Sequence, residues 1–353
     1  MALAFLALLA ALWAGLLRLG WKLPPLQPTL TLAHGPLMVG GFLGTVISLE
    51  RAAALGHRWT YATPLLSALG ALALIFGPPG LLAPLLMVLA SLGLVAVFGL
   101  ILRRQPTLFH AVMGLGALTW LVGNVLWLIG WPLYRVALWW VAFLVLTIAG
   151  ERLELARLLR LSKAARLAFL AATGLFLGSL PVAMAAHDPG VRLAGVGMTG
   201  LAAWLFRYDV ARRTVRRPGL TRYIAVCLLS GYVWLAAGGL MALLFGGVPA
   251  GPRYDAILHA LFLGFVASMI FGHAPIIVPA LLGLPMTFRP TFYIPLALLH
   301  LSLLFRVAGN LAGWPVGRQW GGLLNVFVAL LFLGTVAWAL QKPKQTQAGT
   351  PGI

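Results

Sequence analysis

The chain is expected to be all-α, a polytopic helical membrane protein with about twelve spans and both termini in the cytoplasm. Three observations lead there. Of its 353 residues 61% are hydrophobic and only 9% charged, and the mean hydropathy is +0.99, whereas a soluble domain carries about 25% charged residues. The apolar residues gather in runs close to the roughly 20 that a helix needs to cross a hydrocarbon core about 30 Å thick. The charges lie almost wholly between those runs.

In chain order the first run, 2–17, lacks a basic leading segment and is followed directly by further spans, so it is a helix and not a cleaved secretory signal. The second, 30–49, holds LAHGPLMVGGFLG, where Gly40-x-x-x-Gly44 is a small-residue pattern that lets helices approach closely. Runs 60–77 and 80–102 are continuous apolar stretches, and 107–131 opens on TLFHAVMGLGALTW. Run 133–150 stops at Glu151 and 164–185 starts after a basic loop. Then come 190–207, 222–246 with the sole cysteine, Cys227, and 254–282, which Pro275 and Pro279 interrupt near its end. Runs 290–312 and 320–340 complete a single transmembrane domain, 1–340, and the polar tail 341–353, QKPKQTQAGTPGI, has the composition of a disordered segment.

A formal charge of +19 would point to nucleic acid in a soluble domain, but here the cations sit in loops and report topology. With both termini inside, 18 of the 25 lysines and arginines fall on the inner side and six outside, with Arg306 left within a span. That split favours this orientation, and the cations call for no nucleic-acid partner. The two most basic loops, Arg152 to Arg166 and Arg207 to Arg222, are expected to anchor the chain near anionic lipid. A lone cysteine excludes a disulfide framework, a CxxC pair and a CxxCH attachment, so any haem must be haem b, held without covalent bonds.

The sharpest pattern is His259 and His273, fourteen residues apart on one run. At about 1.5 Å and about 100° per residue that is roughly 21 Å of rise on one face to within about 40°. An imidazole in hydrocarbon needs a partner, and haem iron and copper are its natural ones. By depth, His34 and His259 could share an outer site and His110 and His273 an inner one. The alternative for each is a histidine simply hydrogen-bonded to a neighbouring helix. His300 falls near mid-membrane. Arg306 needs an anion, for which a haem propionate and Asp255 are the candidates, unless it snorkels to the surface. His57 and His187 are expected to be solvated loop residues, and Glu50 to pair with its neighbour Arg51 at the interface. No phosphate loop, HExxH pair or serine triad occurs, and the few acids argue against a proton pump.

Three stretches, LHALFLGFVASMI, LAHGPLMVGGF and LSLLFRVAGNL, resemble segments of the NnrS family, twelve-span bacterial membrane proteins associated with haem, copper and the nitric oxide response. The resemblance implies that His34 and His259 are haem or copper ligands and that Arg306 belongs to the same site. His273 departs from the family's tenth span. The function expected is therefore a haem-binding or copper-binding membrane protein that handles nitric oxide or another small gas, or passes electrons to a redox partner. The alternative is a secondary transporter with a histidine-lined central site, which the proline-broken HAPIIVPALLGLP would suit. A structural accessory of a terminal oxidase is a third reading.

Overall fold

The computed structural model describes residues 1–340 apart from 25, 26, 28 and 79, so the tail 341–353 lies outside the described residues. Among the described residues the protein is helical, with no strand beyond an isolated bridge between Met286 and Leu340. The expected all-α fold is the one observed. Among the described residues twelve long helices follow in order: α1 Ala2–Arg18, α2 Leu30–Leu55, α3 Arg58–Phe76, α4 Leu82–Arg104, α5 Leu108–Leu128, α6 Leu133–Leu159, α7 Lys163–Ala185, α8 His187–Tyr208, α9 Leu220–Phe245, α10 Pro252–Leu282, α11 Pro290–Leu311 and α12 Pro315–Ala339, with a single helical turn, Ala211–Thr214, between α8 and α9.

Ten of these are long and apolar enough to cross a membrane. The other two fall short for different reasons. Helix α1 has only 17 residues, while α8 has 22 but is diluted by glycines and by His187, Asp188, Arg192 and Arg207. Each helix packs on the next, and α12 returns to α1, so the chain of contacts closes on itself. Across the middle, α10 also touches α2 and α6. Gly56, with φ +68°, ends α2, and Gly283, with φ +65°, ends α10, each taking the left-handed conformation that a side chain would penalise.

Two helices are not regular. Within α2 the stretch Leu37–Gly44 is π-helical, and within α10 so is Ala260–Ala267. Such segments are rare and frequent at functional sites. Both carry glycines packed tightly against neighbouring helices. A Cβ on Gly40 would meet the Met87 sulfur at 2.6 Å, one on Gly41 would meet Ala7 at 3.0 Å, and one on Gly264 would overlap Trp234. The widened backbone keeps its polar groups satisfied in hydrocarbon, as it must. The Ser67 hydroxyl donates to the Gly40 carbonyl at 2.7 Å and the Ser268 hydroxyl to the Gly264 carbonyl at 2.6 Å.

Gly264→Ala is expected to lower the unfolding temperature in detergent, at a cost of about 1–3 kcal/mol from overpacking. Gly174→Ala, in α7 where nothing lies within 4 Å of the new methyl, is expected to leave it unchanged or raise it slightly. Thermal unfolding of both variants checks the comparison.

Candidate cofactor site

A cavity of about 740 Å³ lies between α1, α2, α6, α10 and α12, with Arg306 reaching in from α11. Helix α10 supplies one continuous face to it, His259, Leu263, Val266, Ile270, His273 and Ile277. The two imidazoles expected on one face are therefore both there, even though the π-helical stretch between them departs from 100° per residue. Most of the wall is apolar, and the polar groups collect at two ends. One end holds Arg18, His34, Tyr254, Asp255, His259, Arg306 and Arg318; the other, toward the arginine-rich face of the protein, holds Glu50, Glu151 and His273.

His34 and His259 come together. Their ring centroids are 6.4 Å apart and their planes differ by 20°. His34 Nδ1 bonds the Ala11 carbonyl of α1 at 2.7 Å, and His259 Nδ1 bonds the Asp255 carbonyl one turn earlier at 2.8 Å. A carbonyl only accepts, so each Nδ1 carries the proton and each Nε2 keeps its lone pair. Gly15 makes room for the first ring, since a Cβ there would stand 3.1 Å from it.

Behind His259 is a polar network that fixes its position. The Asp255 carboxylate lies 3.3 Å from His259 Nδ1 and takes two hydrogen bonds from the Arg306 guanidinium, at 2.7 and 2.9 Å. Asn310 donates a third at 2.7 Å, and Arg318 approaches to 4.0 Å. Asn325 of α12 lies 3.5 Å from Arg306 and bonds Ser302 at 2.8 Å. Arg306 is 6% exposed, so it does not snorkel. Of the two anions expected for it, Asp255 is the one in place. Helix α12 comes this close because Gly321 has no side chain; a Cβ there would meet the Arg306 backbone at 2.7 Å.

The inner pairing of His110 with His273 is not formed. His110 is held at the start of α5 by the Thr107 hydroxyl at 3.0 Å and the Gln105 carbonyl at 3.1 Å, and α5 contributes nothing to the cavity wall. His273 bonds the Met269 carbonyl through Nδ1 at 2.7 Å and shares its end of the cavity with carboxylates. His300 is also off the cavity, its Nδ1 accepting from the Trp234 indole at 3.0 Å. Arg51 forms the expected ion pair with Glu50, at 3.9 Å, and also hydrogen-bonds Glu151 of α6. His57 meets Arg104 at 3.0 Å, and His187 packs edge-on against Tyr134.

Sequence reasoning missed Arg18, Tyr254, Arg318, Asn310 and Asn325. One signal was available, because Asn310 stands four residues after Arg306 and therefore on the same helix face.

Removing one partner of the buried pair should be far worse than removing both. Asp255→Asn alone is expected to cost about 3–5 kcal/mol, because it strands the Arg306 charge, and Asp255→Asn with Arg306→Met should recover a large part of that. A double-mutant cycle on unfolding in detergent measures the coupling.

No curated protein and no solved structure matches the chain. The profile of one protein family, described as a domain of unknown function, matches residues 1–341. That match runs from the first residue of the bundle through α12 and takes in every residue of the cavity wall, and the chain therefore belongs to this family, DUF8744.

Proposed function

We propose that the protein is a multi-pass protein of a bacterial-type inner membrane that binds haem b without covalent attachment through Nε2 of His34 and His259. In this reading it resembles the NnrS family and acts in the nitric oxide response or in electron transfer. The observation that carries it is the pair of free Nε2 atoms on near-parallel rings at one end of a cavity of about 740 Å³. His34 and His259, 6.4 Å apart between ring centroids, are the residues that would hold the haem iron.

The donor set favours haem over a bare ion. An ion held by protein alone usually takes three or four ligands, and among the described residues no group of three or more His, Cys, Asp or Glu could hold one. Haem iron asks the protein only for axial ligands. Copper, the other metal considered, would have to accept two imidazoles alone.

The charge agrees with the same choice. Arg18, Arg306 and Arg318 face one carboxylate at this end, an excess of two positive charges, and haem b carries two propionates. Asp255 takes two hydrogen bonds from Arg306 and is approached by Arg318 only to 4.0 Å, so Arg18, in no salt bridge among the described residues, and the more distant Arg318 would be the cations to hold anionic groups. Haem would supply an iron that binds a small gas or takes up an electron. The protein's own part is to hold both Nε2 atoms in place, to fix their tautomers through Nδ1, and to surround them with apolar wall. Asp255 is a positioning residue in this scheme, since it acts through His259.

A transporter reading rests on a different observation, that the one cavity carries ionisable residues at both of its ends. Colour separates the two. The purified protein is expected to show a Soret band and stoichiometric iron. His34→Ala and His259→Ala should each lose most of that occupancy, Asp255→Asn should weaken it about 10–100-fold, and His110→Ala should leave it unchanged. A colourless, metal-free protein from haem-sufficient cells would overturn the haem reading and favour transport.

A further inference from the structure

The loops between α6 and α7 and between α8 and α9, which the sequence marks only as basic, converge on a second cavity of about 520 Å³ at the arginine-rich face. Its wall includes Arg160, Arg207, Arg212, Arg213 and Arg216. None of these five is in a salt bridge among the described residues. The single carboxylate in the wall is Asp209, 2% exposed, and its oxygens are already used. One accepts the Tyr232 hydroxyl at 2.9 Å, with Arg152 at 3.9 Å, and the other accepts the Ala211 N–H at 2.6 Å.

Simple surface anchoring would leave these side chains spread over a convex face, each in its own water. Here they line one concavity and repel one another in it. The local backbone is also committed to that arrangement. Arg160 has φ +50°, making it the only non-glycine with left-handed backbone among the described residues, a conformation that persists only when its surroundings enforce it. Arg207 lies over the Tyr208 ring at 5.3 Å, and Arg212 donates to the Arg207 carbonyl at 3.2 Å. The α7 N-terminus opens here too, with its cap Ser162 in the wall.

We propose that this cavity binds an anion carrying two phosphate groups, and specifically the headgroup of a diphosphate phospholipid such as cardiolipin. Guanidinium forks match phosphate oxygens bidentately, and several of them around one concavity are suited to more than one phosphate. A single inorganic phosphate would leave most of the volume and most of the charge unmet. The choice of a lipid over a soluble diphosphate rests on the rim. Leu159 and Leu161 line the cavity, and Leu158 and Leu167 beside them are 73% and 65% exposed, giving acyl chains an apolar path away from the headgroup.

The test is titration of the purified full chain in detergent with cardiolipin, phosphatidylglycerol and inorganic pyrophosphate, read by native mass spectrometry. Cardiolipin is expected to bind at least tenfold more tightly than phosphatidylglycerol, and excess pyrophosphate should displace it poorly. The triple variant Arg212→Ala, Arg213→Ala, Arg216→Ala should weaken cardiolipin binding tenfold or more. Arg103→Ala with Arg104→Ala, on the same face but outside the cavity, should change it less than twofold. Should the triple alanine variant fail to fold, the triple lysine variant keeps the charge and loses the forks, and several-fold weakening is still expected. Cardiolipin binding equal in wild type and in the triple lysine variant would reduce the site to general charge attraction and overturn the proposal. Pyrophosphate binding that outcompetes cardiolipin would overturn the lipid assignment and make the ligand a soluble diphosphate.

Discussion

A guanidinium sealed among apolar helices dictates much of what surrounds it. Arg306 is only 6% exposed, and a buried guanidinium requires an anion to be brought to it. Asp255 is that anion, and meeting Arg306 through two hydrogen bonds fixes α10 against α11 in both height and rotation. The same carboxylate lies against His259 Nδ1, so the position of a candidate ligand follows from the neutralisation of a charge on another helix. Asn310 and Asn325 complete the set of partners, and Gly321 lets α12 close over it. A buried pair of this kind adds little net stability compared with well-packed apolar residues. What it does is tie α10, α11 and α12 together through named contacts, Asp255 with Arg306 and Arg306 with Asn325.

The π-helical stretches put a second constraint beside the first. His34 lies three residues before one and His259 immediately before the other, and each stretch places a glycine against a bulky neighbour, Met87 in one case and Trp234 in the other. Widening the backbone frees carbonyl groups where no water can reach them. Ser67 supplies the missing donor from α3, while Ser268 supplies it from within α10. The indole of Trp234 in turn bonds His300. That contact places His300 behind the π segment as a support for the packing of α9 on α10, away from the cavity.

Helix existence was legible from apolar run length, and the outer histidine pair was legible from depth combined with alternating direction. Depth is only one of three coordinates, however. His110 and His273 match in depth and still do not meet, because the side of the bundle that α5 occupies depends on packing order, which hydropathy does not encode. His300 fails for the same reason. Asp255 could be named as a partner for Arg306 because so few acids exist to choose from. The pairing of Arg51 with its sequence neighbour Glu50 was legible and is present at 3.9 Å, but its hydrogen bond to Glu151 of α6 was not, because it depends on how the helices pack. The π-helical stretches leave no trace in sequence beyond glycine clusters that ordinary close packing would also produce.

Charge is distributed unevenly along the large cavity, and that asymmetry limits what can sit in it. At one end three arginines face one carboxylate; at the other, Glu50 and Glu151 lie beside His273, with Arg51 outside the wall and between the two acids. Apolar surface fills the distance between the two ends. A uniformly polar solute would have to give up its hydration along that whole length without recovering it. A largely apolar body with anionic groups at one edge would not. It would be drawn in with those groups toward Arg18 and Arg318, which brings its interior alongside the two free Nε2 atoms. Under the proposed function haem b would be such a body, with its anionic edge toward Arg18 and Arg318 and with His34 and His259 beside it.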